Sequence, residues 1–275
     1  MLPRLAWWDA NDQASFVRII QATLQMRDHP YMAVFRKRLE IVAVFMANKI
    51  ERTIPVTFSE CVGVLEQIQN DPDFAAGDVR WPSEGSNSRE CVRQQLFQHA
   101  QALFYIIQRA YHGDPLTPEF IRELHGILMF NSLDDNGRLL RSGSFRTGPA
   151  HNGAGFVYAE AESIDSEINE LCDSVRSMSA SEVHEQCALV ARFMYRFLVI
   201  HPFENGNGRL ARLLVNYCFL VMGAPFVIPL TNGHSKARKH YMACIQNESR
   251  GKTGHLASHL LECYANACHN FHLLI

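Results

Sequence analysis

HPFENGNGRLAR, residues 201–212, connects two apolar segments of the chain, residues 182–200 and 208–222. Both segments carry hydrophobic residues at helical spacing, and the first is hydrophobic on most sides, which is typical of a buried central helix. Gly206 and Gly208 let the backbone approach a ligand closely and adopt angles that other residues avoid. The stretch therefore predicts a ligand-contacting loop between two core helices.

The second half of this stretch has the features of a phosphate-binding turn. The first turn of a helix leaves its N–H groups without intrahelical partners, at the positive end of the macrodipole, and such a turn binds anions. Arg209 lies in this turn, and Arg212 follows three residues later on the same helix face. Two guanidinium groups in this position suit a polyphosphate.

His201 stands at the other end of the loop. An unperturbed imidazole has a pKa of about 6.5 and is a usable general base near neutral pH. Phe203 is most simply an apolar anchor that holds the loop to the core. A Gly-Asn-Gly sequence alone is a common turn, and an arginine after a turn is usually solvated. The combination at this spacing, between these two helices, is far more specific.

The rest of the chain is predicted to be helical, with one exception. The segment 134–158 is rich in glycine and lacks a helical period, and 156–158 favours a short strand, so a small β-hairpin is expected here. The loop at 70–88, rich in Asp, Pro, Gly and Ser, separates an N-terminal helical region, 1–70, from a core domain, 89–272. The further predicted helices are 16–25, 32–51, 58–68, 89–111, 118–130, 163–178, 234–246 and 255–271.

Composition excludes several classes of protein. A formal charge of −2 and a pI of about 6.7 disfavour a dedicated nucleic-acid surface. The longest apolar run, Ile41 to Ala47, is too short to span a membrane, and the first residues do not resemble a secretory signal. The cysteines are scattered and form no Cys-x-x-Cys pair, so we expect reduced thiols in a cytoplasmic protein without a membrane partner.

At residues 201–212 the chain resembles the Fic family, whose motif reads His-Pro-Phe-x-(Asp/Glu)-Gly-Asn-Gly-Arg-x-x-Arg. The resemblance extends over about residues 40–265. Four further segments carry it: LTPEFIRELHGILM (116–129), SGSFRTG (142–148), FVYAEAESIDSEINEL (156–171) and ANKIER (47–52), the last being similar to the family's inhibitory helix.

The resemblance implies an all-α, Fic-type helical bundle with a small β-hairpin flap. The activity that it implies is transfer of AMP from ATP, with Mg²⁺, to a Ser, Thr or Tyr hydroxyl of a target protein. His201 would be the catalytic base, and the flap, about 143–158, would align the target by strand addition. Glu51, on an inhibitory helix at about 41–52, would pair with Arg212. The nucleotide-binding residues would be Gly206, Asn207, Gly208, Arg209 and Arg212.

The chain departs from the family pattern at the metal position. Asn205 stands where the motif has an acid that holds Mg²⁺, and Glu204 sits one place too early to replace it. At an effective dielectric constant of about 20, a charge pair 4 Å apart is worth about 4 kcal/mol. We therefore expect Asn205 to bind metal weakly.

The inhibitory segment also departs from the pattern. Ala47 stands where the family has Ser or Thr, and Arg52 where it has Gly or Asn. A solvated helix-end carboxylate is the alternative interpretation of Glu51.

These departures leave two other functions open. One is a catalytically weak, nucleotide-binding interaction module. The other is a Fic enzyme of different outcome, which removes AMP, phosphorylates, or uses another nucleotide. Homo-oligomerisation is also left open. A separate group, His255, His259 and Cys263, falls on one helix face, but its spacing matches no zinc motif and half-buried histidines are common.

Overall fold

The computed structural model describes residues 10–51, 57–70, 89–134, 137–151, 158–178, 182–231 and 235–275. Within these ranges the chain forms ten α-helices and one short 3₁₀ turn, Ala161–Ser163. The helices are α1 Ala10–Gln25, α2 Met32–Glu51, α3 Phe58–Asn70, α4 Arg89–His112, α5 Pro118–Leu128, α6 Ile164–Arg176, α7 Val183–Ile200, α8 Asn207–Val221, α9 Ser235–Ser249 and α10 His255–His272.

The all-α class is confirmed, and each predicted helix is present with ends shifted by a few residues. The small hairpin is not seen: the described part of the segment 143–158 contains no strand. An isolated antiparallel bridge joins Leu133 and Leu139 just before it. Residues 152–157, which include most of the expected strand, lie outside the described ranges, as does the expected domain boundary at 71–88.

The helix α5 shows how local sequence sets a boundary. The Thr117 side chain accepts a hydrogen bond from the Phe120 N–H at 3.1 Å, and Pro118 occupies the first turn, where a missing N–H is harmless. The apolar side chains of α5, at helical spacing, are buried against α4, α6 and α8. His125 is the polar exception on this buried face.

Two helices form the centre of the bundle. Helix α7 packs against α6, α8 and α10, while α8 packs against α2, α4, α5 and α7. Because α8 is buried along nearly its whole length, both ends of the loop between α7 and α8 are held against the bundle, while Glu204 and Asn205 at its middle are exposed. Helix α1 packs against α10. In the described parts of the chain, no helix is long and apolar enough to cross a membrane.

Candidate active site

The loop between α7 and α8 turns on two left-handed residues. His201 ends α7 with φ 50° and ψ 59°, and Gly206 precedes α8 with φ 78°. A left-handed conformation at a residue with a side chain costs of order 1–3 kcal/mol and persists only where the surroundings enforce it. Phe203, between the two, is fully buried, which confirms its expected role as the anchor of the loop.

Asn207 holds the loop in this shape. Its Oδ1 accepts a hydrogen bond from the Phe203 N–H at 3.1 Å, and its Nδ2 donates to the Phe203 carbonyl oxygen at 2.8 Å. The side chain is buried. The Asn207 side chain therefore binds within the loop. The predicted contribution of Asn207 to phosphate binding is left to its main-chain N–H.

Gly206 is enclosed by α5. A Cβ atom at this position would lie 2.8 Å from Met129 Sδ and 3.5 Å from His125 Nε2. Any side chain would therefore combine a steric clash with a left-handed backbone. Only glycine brings the loop this close to α5 without strain.

His125 ties three segments together. Its Nδ1 accepts a hydrogen bond from the Gly143 N–H at 2.9 Å, so Nε2 carries the proton and donates to the Asn205 carbonyl oxygen at 3.1 Å. The ring stacks on Phe203 with centroids 3.7 Å apart. Burial lowers the pKa of His125 to about 4, so the neutral tautomer that these contacts require is present at neutral pH.

Arg146 clamps the other end of the loop. Its guanidinium group donates to the carbonyl oxygens of His201 at 2.8 Å, Gly148 at 2.7 Å and Ile200 at 3.1 Å, and also to that of Ala159. Arg146 is buried. Its own N–H donates to the Pro202 carbonyl oxygen at 2.9 Å. This single residue therefore fixes the segment 143–148 against the C-terminal end of α7.

His201 lies half-buried beneath Tyr158, whose ring stacks on the imidazole with centroids 3.8 Å apart. Its Nδ1 is buried and makes no hydrogen bond of good geometry, so Nε2 is the nitrogen that can meet a substrate. Burial lowers the pKa of His201 to about 4, although the nearby Leu198 carbonyl opposes the shift. The imidazole is therefore neutral at pH 7, as a proton acceptor must be.

Arg209 and Arg212 are both buried on the first turns of α8. Their charge acts on His99 of α4: burial first, then repulsion by the two guanidinium groups, holds the pKa of His99 well below its usual value. Arg209 also opposes protonation of His125. The electrostatic environment at the start of α8 is thus positive. Phosphate binding by these residues stays a prediction.

The expected metal position is already engaged. Asn205 Oδ1 accepts a hydrogen bond from the Gly206 N–H at 2.7 Å, and the Glu204 carboxylate forms an ion pair with Arg141 at 2.9 Å. Mg²⁺ prefers near-octahedral oxygen ligands and is usually held by carboxylates together with substrate phosphates. Since position 205 brings no charge and Glu204 faces Arg141, the described residues of the loop do not fit a carboxylate-bound Mg²⁺.

The C-terminal end of α2 reaches the same site. The Ala47 carbonyl oxygen accepts a hydrogen bond from Arg212 Nη2 at 3.4 Å, and Arg238 of α9 donates to the Ile50 carbonyl oxygen. Helix α2 extends to Glu51. The Glu51 side chain and Arg52 lie outside the described residues, so their expected contacts stay predictions.

Sequence reasoning missed the residues that hold the loop: Arg146, His125 and Tyr158. A signal for His125 existed, because it is a lone polar residue on the apolar face of α5. Arg146 and Tyr158 gave no such signal, since they flank a glycine-rich segment without periodicity.

Fold and site together define an all-α protein in which the positively charged start of α8 lies next to a neutral, partly buried histidine. Residues 115–219 match the model of the Fic/DOC family. The structure resembles that of a Fic domain-containing signaling protein from Bacteroides thetaiotaomicron, with a TM-score of 0.68 at 20% identity, covering 92% of this chain and 95% of that one. Fic-1 from C. elegans gives a TM-score of 0.66 at 16% identity, covering 96% and 73%.

Three curated relatives are similar in sequence. A Fido domain-containing protein of Dictyostelium discoideum is 34% identical over 26% of this chain and 50% of its own length. The uridine 5'-monophosphate transferase of Xanthomonas campestris is 27% identical over 44% of this chain and 24% of its own. The protein adenylyltransferase and cysteine protease IbpA of Histophilus somni is 27% identical over 61% of this chain and 4% of its own.

The chain thus spans half the length of the first relative and smaller fractions of the other two. The family match covers residues 115–219, and the likeness to the solved structures shows that the fold is shared.

Proposed function

We propose that the protein transfers AMP from ATP to a Ser, Thr or Tyr hydroxyl of a target protein. The observation that carries the proposal is the pairing of a neutral His201 with a positive helix start, at the two ends of one rigid loop. Similarity to a protein adenylyltransferase supports the choice of reaction.

The reaction that this geometry suits is an in-line displacement at the α-phosphorus. His201 Nε2 accepts the proton of the target hydroxyl while the hydroxyl oxygen forms a bond to that phosphorus. The bond to the bridging oxygen of the β-phosphate breaks, and pyrophosphate leaves with the electron pair. The N–H groups of Asn207 and Gly208, with Arg209 and Arg212, stabilise the charge that develops on the phosphates.

A pKa of about 4 makes His201 a weak base in the free protein. A bound polyphosphate would raise that pKa, because a nearby negative charge favours the imidazolium ion. The nucleotide therefore strengthens its own proton acceptor. This effect links binding at α8 to basicity at the C-terminal end of α7.

No step of this mechanism depends on Asn205 or Glu204 as a metal ligand. We propose that Mg²⁺ bound to ATP would be held by the phosphates and water, because the loop offers it no free carboxylate. The transfer rate should therefore depend less on Mg²⁺ than it would with an acid at position 205.

We propose that α2 restrains the site. The Ala47 carbonyl lies near the C-terminal, negative end of the helix macrodipole and contacts Arg212, so α2 competes with phosphate for this guanidinium group. Glu51, the last residue of α2, would strengthen the restraint through a carboxylate. The target would dock along the open groove between 143–147 and the start of α6, beside Arg146.

We place the reaction in a reducing compartment such as the cytoplasm. Seven of the eight cysteines, all but Cys91, have side chains that the structure describes, and these seven are buried and free, which suits such a compartment. We expect no nucleic-acid substrate.

A second candidate is transfer of UMP in place of AMP. Similarity to a uridine 5'-monophosphate transferase favours it. The loop would contact the phosphates rather than the base, so the proposal fits either nucleotide.

The test uses ATP labelled at the α- or the γ-phosphate, with α-labelled UTP in parallel, and a cell extract as the source of target. Protein labelled from α-labelled ATP supports the proposal, and label from UTP alone favours the second candidate. Label from the γ position alone means phosphorylation. Absence of label, with ATP still raising the melting temperature, means a nucleotide-binding module and contradicts the proposal.

A further inference from the structure

A group of metal-ligating side chains lies between α9 and α10. His240 and Cys244 lie four residues apart on one face of α9, and His259 faces them from α10. Their ligand atoms all lie within 4.8 Å of one another. The group noted in the sequence, His255, His259 and Cys263, lies along a single helix and matches no zinc motif. The structure retains His259 and supplies its neighbours from α9 instead.

His259 has one ring nitrogen available to a metal ion. Its Nε2 lies 2.8 Å from the Leu230 carbonyl oxygen, a contact that requires Nε2 to carry the proton and donate. Nδ1 therefore carries the lone pair, and it is buried without a hydrogen-bond partner. The residue is only 4% exposed. Metal-binding histidines characteristically donate their second ring nitrogen to a carbonyl oxygen in this way.

A buried lone pair without a donor costs free energy. A metal ion on Nδ1 removes that cost. We infer that His240, Cys244 and His259 bind a Zn²⁺ ion.

The ligand chemistry selects this ion. Two imidazoles and a thiolate suit Zn²⁺, whereas Mg²⁺ and Ca²⁺ require oxygen ligands. At bond lengths of about 2.1 Å to nitrogen and 2.3 Å to sulfur, tetrahedral ligand atoms lie about 3.5 Å apart. The side chains must therefore approach one another by up to about 1.3 Å, which exposed His240 can do by rotation. Water fills the fourth position, since Cys263 Sγ lies 3.6 Å from Nε2, on a different edge of the ring.

The bound ion joins elements that hold the nucleotide site. Through Leu230 it fixes the segment that precedes α9, and Leu230 lines a cavity together with Ala47 and Arg212. Arg238, two residues before His240, contacts the C-terminal end of α2. Because Zn²⁺ binds the folded chain, it should also raise the melting temperature. This inference does not depend on the proposed transfer reaction.

The test measures metal binding by the whole chain without nucleotide. Competition with a chromogenic chelator gives stoichiometry and affinity for Zn²⁺, and Co²⁺ substitution reports thiolate ligation by a near-ultraviolet charge-transfer band. We expect one ion per chain and a band that Cys244→Ser abolishes. His240→Ala, at an exposed position, should weaken Zn²⁺ binding at least tenfold. His259→Ala should also abolish Zn²⁺ binding. If that variant fails to fold, Cys244→Ser and His240→Ala still test the inference.

Two matched variants serve as controls. His184→Ala removes an exposed histidine of α7, and Cys263→Ser removes the cysteine that lies beside Nε2. Both should retain the wild-type affinity. Sub-stoichiometric binding, or equal affinity in His240→Ala, Cys244→Ser and the wild type, would overturn the inference.

Discussion

The side chain of Arg146 binds the main chain of His201: the Arg146 Nε donates a hydrogen bond to the His201 carbonyl oxygen at 2.8 Å. The same guanidinium group binds carbonyl oxygens on both sides of the site, at Ile200 and Gly148. His201 has a left-handed backbone that needs such support. Arg146 is therefore the residue that fixes the direction of the imidazole.

Replacing Arg146 with lysine should disorder His201 without removing the positive charge. A compact ammonium group cannot reproduce the planar fork that reaches four carbonyl oxygens. We expect the transfer rate to fall by about 10²-fold, as for a misplaced catalytic group, and stability to fall by about 1–3 kcal/mol. The measurements are single-turnover kinetics and urea unfolding. Arg141→Lys, at an exposed arginine, is the control, and an equal loss there would refute the assigned role.

Gly206→Ala should separate steric crowding from backbone strain. Its Cβ would meet Met129 Sδ at 2.8 Å, whereas a Cβ at Gly223, which also has positive φ, would meet nothing within 4 Å. We therefore expect Gly206→Ala to lower the free energy of unfolding more than Gly223→Ala does, by about 1–3 kcal/mol. In a protein that also carries Met129→Ala, Gly206→Ala should lower the free energy of unfolding by less, because the crowding at Met129 Sδ is gone. Equal destabilisation by the two glycine substitutions would contradict the close approach of the loop to α5.

Stability should fall as pH is lowered from about 6.5 to about 4. Burial lowers the pKa values of His125 and His201 to about 4 in the folded chain, below the ordinary value of 6.5. In this window the unfolded chain binds more protons than the folded chain, so the free energy of unfolding rises with pH. The stability that these histidines contribute is fully present above their pKa in the unfolded chain. It is lost as the pH falls to their pKa in the folded chain.

His125→Gln tests how much one residue contributes to the pH dependence of the free energy of unfolding. Each proton contributes a slope of at most about 1.4 kcal/mol per pH unit, so the variant should flatten the profile by up to that amount. Urea unfolding at several pH values measures the slope. His184→Gln removes an exposed imidazole, and if it flattens the profile equally, burial of His125 is not the cause.

Glu51→Gly should raise transfer activity if α2 restrains Arg212. The substitution removes the carboxylate and weakens the last turn of α2, which ends beside Arg212. Activity per active site, measured with α-labelled ATP, is the readout. Lys49→Gly, an exposed position in the same turn, controls for the lost helix propensity. Activation by both variants alike would assign the effect to α2 rather than to Glu51, and unchanged activity would remove the inhibitory role.

Much of the fold followed from hydrophobic periodicity, because helices with a continuous apolar face leave a strong pattern in sequence. The loop was predictable since Phe203, Gly206 and Arg212 stand in one short segment. The clamp formed by Arg146 was not, because its partners are carbonyl oxygens that are distant in sequence and carry no side-chain signal. The group of His240, Cys244 and His259 was missed for a related reason: it forms only when α9 packs against α10.

The most direct test of the account compares α-phosphate transfer by the wild type and by His201→Ala, together with the affinity of each for ATP. We predict that the variant binds ATP within about threefold of the wild type but transfers label at least about 10²-fold more slowly. In the wild type, the low-pH limb of kcat/KM should lie near pH 4, the pKa of His201 in the free protein. Undiminished transfer by His201→Ala would contradict the account.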